Sequence, residues 1–441
     1  MNNFKLFNLK EVADSQTGPF GSQLHQSDYV SVGTPMVTVE HLGVERFTHQ
    51  NLPFVSDKDR DRLSKYILKE GDIVFSRVGS VDRCTYVTKE EDGWMFSGRC
   101  IRVRTNENAI GRYLNFYFRQ ETFKKMMLDI SVGATMPSLN TKLMDNIPLR
   151  LPSLNIQKKI AKVLSDLDAK IELNNKINAE LEAMAKTLYD YWFVQFDFPN
   201  KDGKSYKSSG GKMVYNEELK REIPEGWEVM KLSTCCDIID CLHSKKSDYY
   251  FEDEDSYLLQ LENIKDDGLI DISTKYFVSQ DEYERWTKRI EVKDHDLVIT
   301  NAGRVAGLSQ IPKNIVAGIG RNITAIRPKT IEPTFLYYTF QGVEMKRQIK
   351  LNTDTGSFFQ SLNVRGIKEL FVIRPPKLLE EKFETIAIKN RRKRELNNSE
   401  NQELASLRDW LLPMLMNGQV SVGVIEEQLG MVAEGNVENN G

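Results

Sequence analysis

The stretch NIQKKIAKVLSDLDAKIELNNKINAELEAMAKTLYDYWF, from Asn155 to Phe193, contains no proline and no glycine. Read in heptads, it places Ile160, Leu164, Leu167, Ile171, Asn174, Asn178, Leu181, Ala185, Leu188 and Trp192 along one seam. Eight of these ten are apolar and follow one another at alternating four- and three-residue steps, the spacing of a helix that packs against another helix. A second run without breakers, LLEEKFETIAIKNRRKRELNNSENQELASLRDWLL, extends from Leu378 to Leu412. IELNN (Ile171–Asn175) in the first answers RELNN (Arg394–Asn398) in the second, so Asn174 and Asn178 match Asn397 and Asn401. Asn174 lies near the middle of its helix. Antiparallel packing brings the midpoints together, where paired asparagines fix register at some cost in stability; the alternative is that they face solvent. The second seam is less clean, because Asn390, Arg394 and Arg408 fall on it; it is either shifted or partly covered by a partner.

Outward from the helices, the whole chain is one unit written twice at a spacing of about 223 residues. MVTVEHL (Met36–Leu42) answers LLQLENI (Leu258–Ile264), aligning Glu40 with Glu262, and FVS recurs at Phe54–Ser56 and Phe277–Ser279. EGDIVFSRVGS (Glu70–Ser80) answers DHDLVITNAGR (Asp294–Arg304), and SGRCIRVR (Ser97–Arg104) answers IGRNITAIR (Ile319–Arg327). GATMPSLN (Gly133–Asn140) answers GSFFQSLN (Gly356–Asn363), and Pro152 falls on Pro375. With the asparagine strings these are seven matches in one order, their spacing drifting only between 222 and 224 residues. That is a tandem duplication of a domain-sized unit, far too long for a solenoid repeat.

Within each copy, short β-rich runs (MVTV, DIVFS, CIRVRT; DLVIT, NITAIR) are broken by Gly, Pro and Asn. A helical stretch follows, GRYLNFYFRQETFKKMM in the first and TFLYYTFQGVEMKRQ in the second. The expected fold is α+β: globular domains over 1–152 and 223–375, long helices over 153–197 and 376–418, a linker over 198–222 and a frayed tail over 419–441. The linker reading rests on the polar, Gly/Ser-rich NKDGKSYKSSGGKMVY (Asn200–Tyr215). Pairing the helices as an antiparallel coiled coil gives the halves pseudo-two-fold symmetry and a rod of about 60 Å at 1.5 Å per residue. Duplex half-sites on one face recur about every 34 Å, a scale that such a rod matches.

Composition is that of a globular protein, 40% hydrophobic and 28% charged over 441 residues. No apolar run reaches the ~18 residues of a membrane span, and the N-terminus MNNFKLFNLK has no apolar leader core; no membrane partner and a cytoplasmic location are expected. The five cysteines include no CxxC pair and the five histidines are scattered, so neither a disulfide framework nor a metal site is indicated. The net charge of −3 weighs against a simple high-affinity DNA binder. No catalytic centre is proposed by the sequence. The one Pro-Pro, in RPPK (Arg374–Lys377), has the wrong flanks for a methyltransferase motif. GKS at Gly203–Ser205 is no P-loop, because Phe198 holds the first glycine position. FEDEDS (Phe251–Ser256) reads as a solvated loop, not a nuclease cluster.

The doubled plan resembles the specificity subunits of type I restriction–modification systems. The resemblance is carried by GPFGSQL (Gly18–Leu24), GDIVFSRVGS, SLN before IPLRLPSLNIQKKIAKVLSDLDAKIELNN, IPEGWE (Ile223–Glu228) and LRDWLLPMLMNGQV (Leu407–Val420), and covers almost the entire chain. One departure is Glu380 in the second copy, where the first has Gln157 and the family usually Gln. The resemblance implies two target recognition domains, each reading one half of a split, asymmetric site on double-stranded DNA. It also implies helices that space them and dock two methyltransferase subunits, with restriction (motor) subunits joining for cleavage. S-adenosylmethionine, ATP and Mg are then expected on those partners and no cofactor on this chain.

Sequence is read by polar side chains reaching base edges, so the DNA-contact candidates are polar residues on matched loops of the two copies. In the first these are Ser76, Arg77, Ser80 and Arg83, then Thr135, Ser138, Asn140 and Lys142. In the second they are Thr300, Asn301 and Arg304, then Gln360, Ser361, Asn363 and Arg365. Ser22, Gln23, Lys245 and Lys246 are further candidates. Against each stands the plainer reading of an ordinary loop residue, and for SLN that of a helix N-cap. The basic run KNRRKR (Lys389–Arg394) suits either phosphates over spacer DNA, a solvated face or an acidic partner. Outside DNA binding, the competing readings are a duplicated protein–protein adaptor and an enzyme with divergent motifs.

Overall fold

In the computed structural model, residues 4–133, 135–242, 256–355, 360–421 and 423 are described. Lys245, Lys246 and all of FEDEDS but Ser256 lie outside the described residues. The chain divides into two compact units, one of residues 1–170 with 403–441 and one of residues 171–402. The first long helix, Leu154–Tyr189, and the second, Lys377–Met416, each contribute to both units.

A four-stranded antiparallel sheet is the centre of each unit. In the first, the order is Ala13–Thr17, Cys100–Thr105, Ile73–Ser76, Cys84–Tyr86; in the second, Cys236–Asp240, Ile323–Pro328, Leu297–Thr300, Leu308–Gln310. The duplication is thus one topology built twice. A strand alternates its side chains between faces, and here both faces are buried. Ile73 and Phe75 enter one core with the helical layer, while Val74 enters another beside the smaller sheet. Leu297 and Ile299 are divided from Val298 in the same way. This two-sided burial is why DIVFS and DLVIT read as unbroken apolar runs.

The smaller sheets also correspond, each containing a parallel pair: Thr34–Val37 with Met95–Phe96, and Tyr257–Leu259 with Gly318–Ile319. The ends of each copy close on themselves, Lys5–Asn8 against Pro148–Leu151 and Glu228–Lys231 against Phe371–Arg374. The registers refine the alignment of the copies. Ser76 pairs with Cys100 and Thr300 with Ile323, so Cys100 corresponds to Ile323, one residue later than the Gly-Arg match suggests.

Within each unit the long helices run antiparallel. In the second, Asn174 Nδ2 donates to Asn401 Oδ1 at 3.0 Å and to Glu400 Oε2 at 2.7 Å, while Asn397 Nδ2 donates to Asn178 Oδ1 at 2.8 Å. Further along, Arg394 pairs with Glu182, and Asn390 Nδ2 donates to the Leu181 carbonyl. In the first unit Arg408 bridges Asp168 and Glu45, and Arg119 joins Asp168 from the globular layer. The arginines that broke the seam are therefore buried inside it, each neutralised by an acid.

The segment read as a linker is folded. Phe198 and Leu219 are buried in the second core, Phe198 stacks on Tyr206 at 4.6 Å, and Met213–Asn216 pairs with Arg221–Pro224. Asn200 Oδ1 accepts from the backbone of Asp202 and Lys204, closing the polar turn that composition alone reads as flexible.

Candidate nucleic-acid interface

Three segments meet at one end of the central sheet in each unit. Strand Ile73–Ser76 runs into a loop whose Arg77 N–H donates to the Arg99 carbonyl at 2.8 Å. The Arg77 carbonyl accepts from Leu139 N at 2.9 Å, drawing in the SLN segment. The second unit repeats both bonds, from Asn301 N to Asn322 O at 2.7 Å and from Leu362 N to Asn301 O at 2.8 Å. Gly79 and Gly303 turn the two loops at φ of 81° and 79°, the left-handed region open to glycine. The matched loops are thus held together by the same backbone bonds in both copies.

The candidate side chains divide sharply. Ser76 and Thr300 are fully buried, their hydroxyls donating to the carbonyls of Val78 and Arg304. Asn140 and Asn363 are N-caps, accepting from Leu143 N at 2.9 Å and Gly366 N at 2.8 Å. Ser138 donates to the Val132 carbonyl, and Arg304 is tied to Asp266 and the Ile264 carbonyl. Arg77 donates to the carbonyls of Leu139 and Gly98 and lies 5.5 Å from the Phe20 ring centre. Asn301 is buried, and its Oδ1 has no partner among the described residues. Ser80, Arg83, Thr135 and Lys142 in the first unit, and Gln360 and Arg365 in the second, are exposed, while Ser361 is half-buried. Ser22 is exposed, whereas Gln23 Oε1 accepts from the Tyr66 hydroxyl.

The basic run does not present an open face. Arg391 donates to the carbonyls of Gly268 and Gln310, Arg392 to Asp294, and Arg394 to Glu182 and the Asp267 carbonyl. Only Lys389 and Lys393 of its cations are exposed. Arg391 and Arg394 instead fasten the second long helix to the 265–271 turn, and Arg392 fastens it to Asp294.

Sequence reasoning passed over a cleft of about 690 Å³ beside Arg77, lined by Phe20, Gln26, Glu40, His41, Asn51 and Arg99 among others. Gly98 lines it, and with Gly18 it allows a close backbone approach, where a Cβ would meet the Pro19 carbonyl oxygen at 2.3 Å and, at Gly18, that of Ser97 at 2.1 Å. The only signal for it in the sequence is the cluster of glycines in GPFG and SGR. Among the described residues one group has metal-ligand proximity, His49 with Glu90 and Glu91. Glu91 already accepts from His49 and from the hydroxyl and N–H of Thr88, and no other acid or thiol completes a shell there.

Residues 1–183 match the family described as "Type I restriction modification DNA specificity domain". The MjaIX specificity subunit of a type I restriction enzyme from Methanocaldococcus jannaschii is 26% identical over 322 residues, 72% of this chain and 70% of its own. The HindI specificity subunit from Haemophilus influenzae is 24% identical over 428 residues, 85% of this chain and 92% of its own. Over residues 1–183 the chain is similar to the type I restriction–modification specificity family, and the similarity to these two relatives extends over most of its length. A solved structure, the S subunit of a type I restriction–modification system from M. genitalium, shares the fold with a TM-score of 0.56 at 14% identity, covering 94% of this chain and 96% of that one. Both relatives bear the name of specificity subunits. Among the described residues no helix is long and apolar enough to cross a membrane.

Proposed function

We propose that this chain reads a bipartite, asymmetric DNA site, one recognition domain per half-site, and directs partner methyltransferase and restriction subunits to it. The observation that carries the reading is one topology built twice with the same loop-to-loop bonds but different side chains on the loops: Arg77, Ser80 and Arg83 against Asn301 and Arg304. Conserved scaffold with divergent contact residues is what two different half-sites require. Of the sequence candidates, Arg83, Ser80, Thr135, Lys142, Gln360 and Arg365 retain the exposure that base or phosphate contact needs.

Partner recruitment is supported by large apolar side chains left in water on the long helices. Leu154 and Trp410 are exposed in the first unit, and Leu173, Met184, Leu378 and Leu396 in the second. Docking of two methyltransferase subunits would cover these positions where they lie together in one patch. S-adenosylmethionine, ATP and Mg belong on the partner subunits in this scheme. The net charge of −3 fits a division of labour in which partners supply most of the nonspecific grip on phosphates.

The test is to co-express the chain with its methyltransferase subunit and map methylated adenines on unmodified DNA. A split motif with a fixed gap, lost when this chain is omitted, is expected. A well-formed, active complex that adds no sequence-specific methylation would favour the protein–protein adaptor instead.

A further inference from the structure

Of the 24 arginines in the chain, 22 are engaged by carbonyls, carboxylates or rings, or lie near a carboxylate, as Arg365 does near Glu369. Arg99 and Arg321 are the exceptions: both are exposed, and neither side chain has a hydrogen bond, ion pair or ring contact among the described residues. They stand in the same two-residue turn of the two copies, Gly98-Arg99 entering strand Cys100–Thr105 and Arg321-Asn322 entering strand Ile323–Pro328. Each turn is held by the backbone bond it receives from the neighbouring loop, into Arg99 O and into Asn322 O. Each is also wedged by a glycine, since a Cβ at Gly98 would lie 2.3 Å from Pro19 O and one at Gly320 would lie 2.5 Å from Gln260 Nε2. The backbone is fixed and the side chain is free, the condition for a long cation to meet an outside partner without rearranging the fold.

We propose that Arg99 and Arg321 are specificity-determining residues, each contacting a base edge in its own half-site. This rests on the DNA-reading role proposed above. A base edge is favoured over a phosphate by the surroundings of Arg99. The cleft it borders sets the carboxylate of Glu40 beside Gln26, His41, Asn51 and Arg77, and a carboxylate repels a phosphate while it can accept from a base amino group. In the second unit the turn lies beside the amides of Gln260 and Asn301, whose buried Nε2 and Oδ1 have no partner among the described residues. The guanidinium fork matches the paired acceptors of guanine in the major groove, so guanine is the base assigned to each.

The full-length chain, in complex with its methyltransferase subunit, is the material for the test, with methylated adenines mapped for the wild type, Arg99→Ala and Arg321→Ala. Arg99→Ala should relax one guanine-containing position in one half-site, with discrimination there falling about 5- to 150-fold, and leave the other half-site unchanged. Arg321→Ala should do the reverse. Arg99→Lys should not restore the preference, because lysine keeps the charge but loses the fork. An unchanged motif in either alanine variant overturns the assignment. So does uniform loss of methylation with the motif intact that lysine repairs, since that is the behaviour of a phosphate contact. If the wild-type complex itself methylates no split motif, the DNA-reading role fails, and this assignment with it.

Discussion

In the first copy Gln157 Oε1 accepts the N–H of Ile110 at 3.0 Å, and in the second Glu380 Oε1 accepts the N–H of Glu332 at 2.7 Å. Both bonds tie the start of a long helix to the start of a helix in the globular layer. The carboxylate at the second site is fully buried and is matched by Arg374 at 2.9 Å, where the first copy has Leu151. Arg374→Leu should therefore lose about 3–5 kcal/mol of stability by stranding a buried charge. Adding Glu380→Gln should recover most of it, as denaturant midpoints would report. A nearby carboxyl has the opposite environment: burial raises the pKa of Glu384, although it accepts from Phe335 N at 2.9 Å. A folded-state acid with a raised pKa stabilises most below its unfolded value and loses that contribution as pH rises through the raised one. Glu384→Gln should thus gain stability relative to wild type at pH 8 and not at pH 4, in urea titrations at the two values. The thiols of Cys84 and Cys100 are pushed up to about 12 by burial. Alkylation at pH 8 should spare both in the native protein and modify both in urea, with mass spectrometry locating the adducts.

At the scale of elements, the long helices were legible because neither run contains a proline or a glycine, and they form over Leu154–Tyr189 and Lys377–Met416. The fate of KNRRKR was not. A sequence displays charge but not the carbonyls of Gly268, Gln310 and Asp267, which reach Arg391 and Arg394 from far along the chain. The same limit applies to the loops, where Ser76 and Thr300 look available and are spent on local carbonyls. Asn140 and Asn363, by contrast, follow the capping alternative that the SLN string itself suggested. Between the helices, Asn397 donates to Asn178 Oδ1 while both are buried. Replacing Asn178 alone by leucine should cost about 1–3 kcal/mol, because it leaves the Asn397 amide without a partner. Replacing both should restore stability while loosening the register, which disulfide trapping between cysteines placed on the facing helices would reveal.

For the whole molecule, the duplication was legible as ordered motifs, and the structure returns it as matched sheets with the same strand order. What the motifs concealed was a one-residue shift at the Gly-Arg turn, visible only in the ladders that pair Ser76 with Cys100 and Thr300 with Ile323. The isolated chain, at net charge −3, should bind random duplex at least about tenfold more weakly than its methyltransferase complex in 0.15 M salt; equal binding in fluorescence titrations would refute that division of labour. The charges buried between the long helices bear on the history of the gene. Both acids, Asp168 and Glu182, belong to the first helix and both bases, Arg408 and Arg394, to the second. The places in the first copy that answer those bases are Ile171 and Ala185. A newborn duplication has two identical helices, each an equal mate for the other or for itself. In this lineage the copies have become complementary sexes: a first half facing another first half would leave Glu182 with no arginine across from it, and Asp168 with only Arg112 and Arg119 of its own half. Recombination that imports a foreign first half must therefore import its acids too, or the inherited arginines are left stranded.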